Sequence, residues 1–190
     1  MFSQTNEKIM VNKKMLLEMS GSLNKKIILN AIGFQIVWFI CVQGNNLNAA
    51  LATIALLILH QFVFRMNLKA WPLLIAFSLI GYLGDSAIAS LLQIQYTDGL
   101  THLAPLWLLS LWLAFSTTLN YSMQWLFKTP ILTIFIALGF VPLSYLVGIE
   151  ISGSSLQSTY GLFYIIEGLW WAILLIGYQK MSLFRGVEHA

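Results

Sequence analysis

Three ionisable side chains stand inside apolar runs, where a charge is costly enough that its usual place is a protein-lined interior with a partner or water beside it. Asp85 lies in Trp71–Leu92, WPLLIAFSLIGYLGDSAIASLL; Glu167 lies in Leu162–Tyr178; His60 lies in Ala49–Phe64. Stepping by three and four from Asp85 gives Ser78, Gly81 and Ala89, a face of small residues of the kind that lets helices pack closely, so Asp85 is expected to face protein. Counted along straight helices, Asp85 comes ~21 Å from the end at Trp71 and Glu167 ~17 Å from the end at Tyr178, so the two acids can meet. Two carboxyls sharing a proton suit general acid/base work or proton coupling. The alternative is a structural role, with each acid protonated or bonded to Tyr82, Gln35 or Thr117. Tyr164, Trp170 and Trp171 lie three or four residues from Glu167 and can flank it.

A second polar level is expected nearer the cytoplasmic side, with His60 ~9 Å and Asn120 ~10 Å from their inner helix ends. On a continuous helix Leu113, Thr117, Asn120 and Gln124 make one face, either a hydrogen-bonding stripe that glues helices or a substrate groove. Asn30 lies at a similar depth, whereas Gln35 is turned ~140° away from it. The candidate binding residues are therefore Asn120, Thr117, Gln35 and Asn30, beside the candidate catalytic Asp85, Glu167 and His60. The chain has no histidine pair at i, i+4, and His102 and His189 fall in a loop and the tail, so neither a metal nor a cofactor is read from it. His60 is expected to be a hydrogen-bonded core side chain. Gly84-Asp85-Ser86 contains a serine, but no nucleophile and base pairing, and no phosphate-cradling glycine loop is present.

The elements that position these residues follow from composition. Of 190 residues, 58% are hydrophobic and 9% charged, far below the roughly one quarter of a soluble domain. This is the composition of an integral membrane protein, and membrane lipid is its expected partner. Six apolar segments, Ile27–Val42, Ala49–Phe64, Trp71–Leu92, Leu103–Phe127, Ile131–Ile149 and Leu162–Tyr178, each approach the ~20 residues of a spanning helix. Breakers such as Gly44-Asn45-Asn46, Thr97-Asp98-Gly99, Lys128-Thr129-Pro130 and Gly153-Ser154-Ser155 separate them. No period-two alternation suggests strands of a barrel. The expected fold is an all-α bundle of six transmembrane helices over 27–180, with polar tails at 1–26 and 181–190.

Charge agrees with this arrangement. With the N-terminus in the cytoplasm, all ten basic residues fall on the inner side: the five tail lysines, Arg65, Lys69, Lys128, Lys180 and Arg185. The three outer loops keep only Asp98, His102 and Glu150. The net charge of +3 thus reflects topology, with both termini cytoplasmic, and implies no nucleic-acid partner. Lys25-Lys26 before Ile27–Val42, with Ala50-Leu51-Ala52 beyond, has something of a secretory signal, but the long polar lead and the distance to that tripeptide argue for a retained span. Trp71, Trp107, Trp125, Tyr96, Tyr160 and Tyr178 fall near helix ends, where interfacial belts place such rings. The one cysteine, Cys41, excludes an intrachain disulfide.

Between Asn30 and Gly148 the chain resembles a bacterial membrane-protein family, domain of unknown function 2878. The residues that carry the resemblance are Asn30, Gly33, Gln35, Trp38-Phe39, Cys41-Val42 and Gly44; His60; Gly84-Asp85-Ser86; Pro105, Trp107 and Leu111-Trp112; Phe115, Thr118-Leu119-Asn120, Ser122 and Trp125-Leu126; and Pro142-Leu143, Tyr145 and Gly148. Val141 stands where the resemblance leads one to expect glycine before Pro142. The resemblance implies a small multi-pass inner-membrane protein and adds Tyr145 to the candidate binding residues. Genes of this look often lie beside ones for lipid modification, such as cyclopropane fatty acid synthases, an association that carries no activity with it. Three functions are compatible with these residues: an enzyme or accessory subunit in membrane-lipid modification, a small proton-coupled transporter, and a non-catalytic scaffold for a membrane-protein partner.

Overall fold

The computed structural model describes residues 2–43, 45–96 and 103–184, without the side chains of 2–20, 22 and 182–184. Gly44, Asp98, His102, Arg185 and His189 lie outside the described residues, as do the side chains of Lys8, Lys13 and Lys14. Seven α-helices make up most of the described residues: α1 (Phe2–Val42), α2 (Asn46–Phe64), α3 (Trp71–Leu92), α4 (Leu106–Ser116), α5 (Pro130–Gly139), α6 (Val141–Ile151) and α7 (Tyr160–Phe184). Proline without its N–H is at home in a first helical turn. It opens α3, α5 and α6 as Pro72, Pro130 and Pro142. Asn45 caps α2 by accepting from the Asn48 N–H at 3.0 Å. The stretch expected to be a polar tail is helical from Phe2 and continuous with the first apolar segment.

Among the described residues, five stretches are long and apolar enough to cross a membrane: Leu23–Val42, Asn46–Phe64, Leu68–Leu92, Pro130–Ile151 and Tyr160–Met181. The third is central, since 56% of its apolar window is buried against 22% for the first, second and fourth. It packs between α4 on one side and α7 on the other, while α1 and α2 lean on α4 and the α5–α6 pair leans on α7. Ile54, Ile58, Phe62, Ile131 and Phe135 are exposed, as expected of a surface that meets lipid rather than water.

The fourth apolar segment departs from expectation. In place of one helix over Leu103–Phe127, α4 ends at Ser116, turns fill 117–123 and a short 3₁₀ helix covers Gln124–Lys128. Ser, Thr and Asn side chains compete with the helical ladder for backbone groups. Here the hydroxyls of Ser116, Thr117 and Thr118 each donate to the carbonyl three residues back, at 2.8, 2.8 and 2.7 Å. Asn30 of α1 holds the break. Its Nδ2 donates to the Thr117 carbonyl (3.3 Å) and Oγ1 (3.4 Å), and its Oδ1 accepts from Ser122 Oγ (2.7 Å) and N–H (3.3 Å). Thr117, Thr118 and Leu119 are buried, as irregular backbone at membrane depth must be. The polar stripe through Thr117, Asn120 and Gln124 does not form, because the helix that would have aligned it stops first.

The fifth segment also breaks, at Phe140, even with Val141 before Pro142. Tyr164 of α7 donates its hydroxyl to the Gly139 carbonyl at that joint. Two strands of two residues, β1 (Ile94–Gln95) and β2 (Ser155–Leu156), pair antiparallel and hold the chain after α3 beside the chain after α6. Elsewhere, Gln179 near the end of α7 donates to the Phe127 carbonyl at 2.7 Å. Not every ring expected in an interfacial belt lies on the surface: Trp125 and Tyr160 are exposed, but Trp107 and Tyr178 are in the core.

Candidate functional site

The small-residue face of α3 makes the site, because a side chain as wide as indole can approach a helix backbone only where no Cβ intervenes. Gly81 admits Trp112 of α4; a Cβ there would lie 2.5 Å from its ring. Gly84 admits Trp170 of α7; a Cβ there would lie 1.9 Å from that ring. Ser78 on the same face donates to the Leu74 carbonyl (2.8 Å) and the Trp112 carbonyl (3.1 Å), which pins α4 to α3.

Asp85 lies between these rings, 2% exposed. Its Oδ2 accepts from Trp112 Nε1 at 2.8 Å and from the Tyr145 hydroxyl of α6. The expected partners are engaged elsewhere: Tyr82 donates to the Ala104 carbonyl at 2.6 Å, Thr117 is at the α4 break, and Gln35 lies on the exposed side of α1. Glu167 of α7, 1% exposed, lies within electrostatic reach of Asp85, so the structure brings the two acids together. Trp170 stands beside Asp85 and Trp171 beside Glu167. Among the described residues, Asp85 Oδ1, Glu167 Oε1 and both indole N–H groups have no hydrogen-bond partner. Beyond α3, Tyr96 is held well above the ordinary phenol range by burial and by the two nearby carboxyls, so it keeps its proton.

Trp112 and Tyr145 have a second role. Both line a cavity of about 480 Å³, within the usual size of a ligand site. Its walls are Phe34 and Trp38 of α1, Phe115 of α4 and Trp171 of α7, the last stacked on Trp112 at 4.4 Å. Phe140, Leu143 and Val147, all half or more exposed, border it on α6 and the joint before it, across from Gln35. The cavity therefore opens sideways between α1 and α6, onto the surface that meets lipid. A smaller space of about 30 Å³, enough for water, continues from it past Tyr145 toward Tyr96 and Trp107.

His60 and Asn120 do not join this site. His60, 1% exposed, is stacked on Phe64 at 4.6 Å with Tyr121 edge-on at 5.1 Å and Trp71 at 6.4 Å. Both its nitrogens lack a partner among the described residues, so the hydrogen-bonded histidine expected from the sequence is replaced by one enclosed in rings. Asn120, whose neighbour Tyr121 touches His60, turns to α7 and accepts from the Tyr178 hydroxyl at 2.9 Å. Asn30 is occupied at the α4 break. Among the described residues no three of His, Cys, Asp and Glu come together in a way that could hold a metal.

Trp112 is the site residue that residue-by-residue reading passed over, while Trp170, expected to flank Glu167, stands beside Asp85. The glycines one and four positions before Asp85 were the available signal, since they leave room for something broad beside the acid. The tight glycine faces, the buried acids and the apolar exterior together define a helical membrane protein built around a carboxyl pair. The family described as Protein of unknown function (DUF2878) matches residues 27–176, and the chain belongs to it. That match continues past Gly148 into α7, so it includes Glu167, Trp170 and Trp171. No curated protein and no solved structure matches the chain.

Proposed function

We propose that this is a multi-pass protein of the bacterial inner membrane that takes a lipid into the cavity between α1 and α6, and that it works in membrane-lipid modification as an enzyme or accessory subunit. The observation that carries the reading is the position of Tyr145 and Trp112, which line an apolar, sideways-opening cavity and also hold Asp85. A lipid enters such a cavity from the bilayer without crossing water. The apolar walls favour it over the water-soluble cargo of a proton-coupled transporter, and a cavity of this size favours a ligand over a scaffold.

Six crossings with both termini in the cytoplasm are part of the proposal. The β1–β2 pair and the Gln179–Phe127 bond support it, because they put the chain at 94–95 and at 127 toward opposite ends of the bundle. The segment between them then traverses the membrane as α4, its turns and the 3₁₀ helix. The basic residues, confined to alternate loops, support the same orientation.

The test is native mass spectrometry of the protein released from membranes, beside a Val147→Trp variant that fills the mouth. Wild type should retain a lipid and the variant should lose it at unchanged thermal stability. Equal lipid retention in both would remove the cavity as the site. Lipid mass spectrometry of a deletion strain tests the role in modification, which an unchanged lipid profile would overturn.

A further inference from the structure

The hydrogen-bond directions at Asp85 constrain what the cavity can recognise. An indole N–H is a donor only, so Trp112 marks Asp85 Oδ2 as an accepting oxygen. The Tyr145 hydroxyl meets the same oxygen and must direct its single proton there. This holds for the ionised carboxylate and for a carboxyl whose proton is on Oδ1. With its proton committed, the phenol has only oxygen lone pairs left to offer, and Tyr145 lines both the large cavity and its water-sized extension.

The other polar groups that line the large cavity are Ser144 and Gln35, both exposed residues, and the indole N–H groups of Trp38 and Trp171, which are donors. Ser144 donates to the Val141 carbonyl at 2.8 Å, and Gln35 lies on the exposed side across the mouth. An apolar chamber whose inner wall presents the Tyr145 acceptor, itself polarised by a carboxyl, suits an apolar molecule carrying a hydroxyl. We infer that the cavity selects lipids that bear a free hydroxyl, which donates to Tyr145 and completes a chain of O–H donors ending on Asp85. This rests on the cavity being the lipid site. Successive hydrogen bonds polarise one another, so the chain is stronger than its separate links. Asp85 is then a positioning residue, acting on the ligand through Tyr145.

The experiment compares a diacylglycerol with its 3-O-methyl ether, identical except that the donor is gone, for binding to purified protein in nanodiscs. Wild type should bind the alcohol roughly tenfold more tightly than the ether, the scale of one hydrogen bond left unmade. Tyr145→Phe should bind both at the ether's affinity, with its fold checked by thermal melting. Asp85→Leu should narrow the preference, because it removes the acceptor that holds the phenol's proton and leaves that proton free to turn toward the cavity. Equal binding of the two lipids by wild type overturns the inference and leaves the cavity standing as a lipid site. Binding of neither overturns both.

Discussion

Replacing Asp85 by Asn keeps its shape, whereas Asp85→Leu leaves the Trp112 N–H and the Tyr145 hydroxyl without an acceptor, at a cost of about 1–3 kcal/mol for each orphaned group. We expect Asp85→Asn and Glu167→Gln to abolish complementation of the deletion strain's lipid phenotype at near-normal abundance, and the leucine variants also to lower the melting temperature. Full complementation by the Asp85→Asn, Glu167→Gln double variant would rule out acid/base work by this pair. His60 has the opposite expectation. Enclosed by rings with neither nitrogen bonded, it gains nothing from its polar atoms in stability, so His60→Phe should leave the melting temperature unchanged or raise it. A fall of several degrees would show that the imidazole has a partner after all. That Asp85 would be inside was legible from Ser78, Gly81 and Ala89. Its partners were not, because Trp112 and Tyr145 come from helices whose rotation about their own axes no local pattern specifies.

At the scale of elements, Gly84 and Asn30 are the positions where one substitution should disturb a whole helix. Gly84→Ala puts a methyl into the Trp170 ring and should push α7 from α3, costing about 1–3 kcal/mol by overpacking, measured as a loss of thermal stability. Asn30→Ala strips the bonds that hold the α4 break and should cost a similar ~1–3 kcal/mol, whereas an alanine at exposed Asn24 should be neutral. α3 was legible to the residue, Trp71–Leu92, because a proline opens it and apolar continuity carries it across. α4 was not. Its apolar run reads as unbroken, and the residue that stabilises the break is 87 positions earlier in the chain. Phe140 is a middle case, where Pro142 alone signals the joint and the Tyr164 bond to Gly139 can be seen only in three dimensions.

For the whole molecule, orientation is the decisive measurement. Single cysteines at Ser3 and Ser154 in a Cys41→Ala background should respond oppositely to an impermeant reagent on intact spheroplasts, with Ser154 labelled and Ser3 protected. Labelling of Ser3 alone would invert the topology. The mutant background should cost little, since Cys41 is a buried side chain with no disulfide.

The break after Ser116 also bears on how the protein is made. An 11-residue helix followed by backbone turns is a poor candidate for partitioning into lipid by itself as it leaves the ribosome. Asn30, which bonds Thr117 and Ser122 across these turns, belongs to α1, synthesised first. Biogenesis then calls for the first span to remain near the exit site until residues beyond Ser122 have emerged, so that the fourth segment enters the bilayer as a passenger on an assembled neighbour. An alkaline phosphatase reporter, active only outside the cytoplasm, fused after Lys128 should therefore gain activity in Asn30→Ala, a substitution some hundred residues upstream of the fusion point.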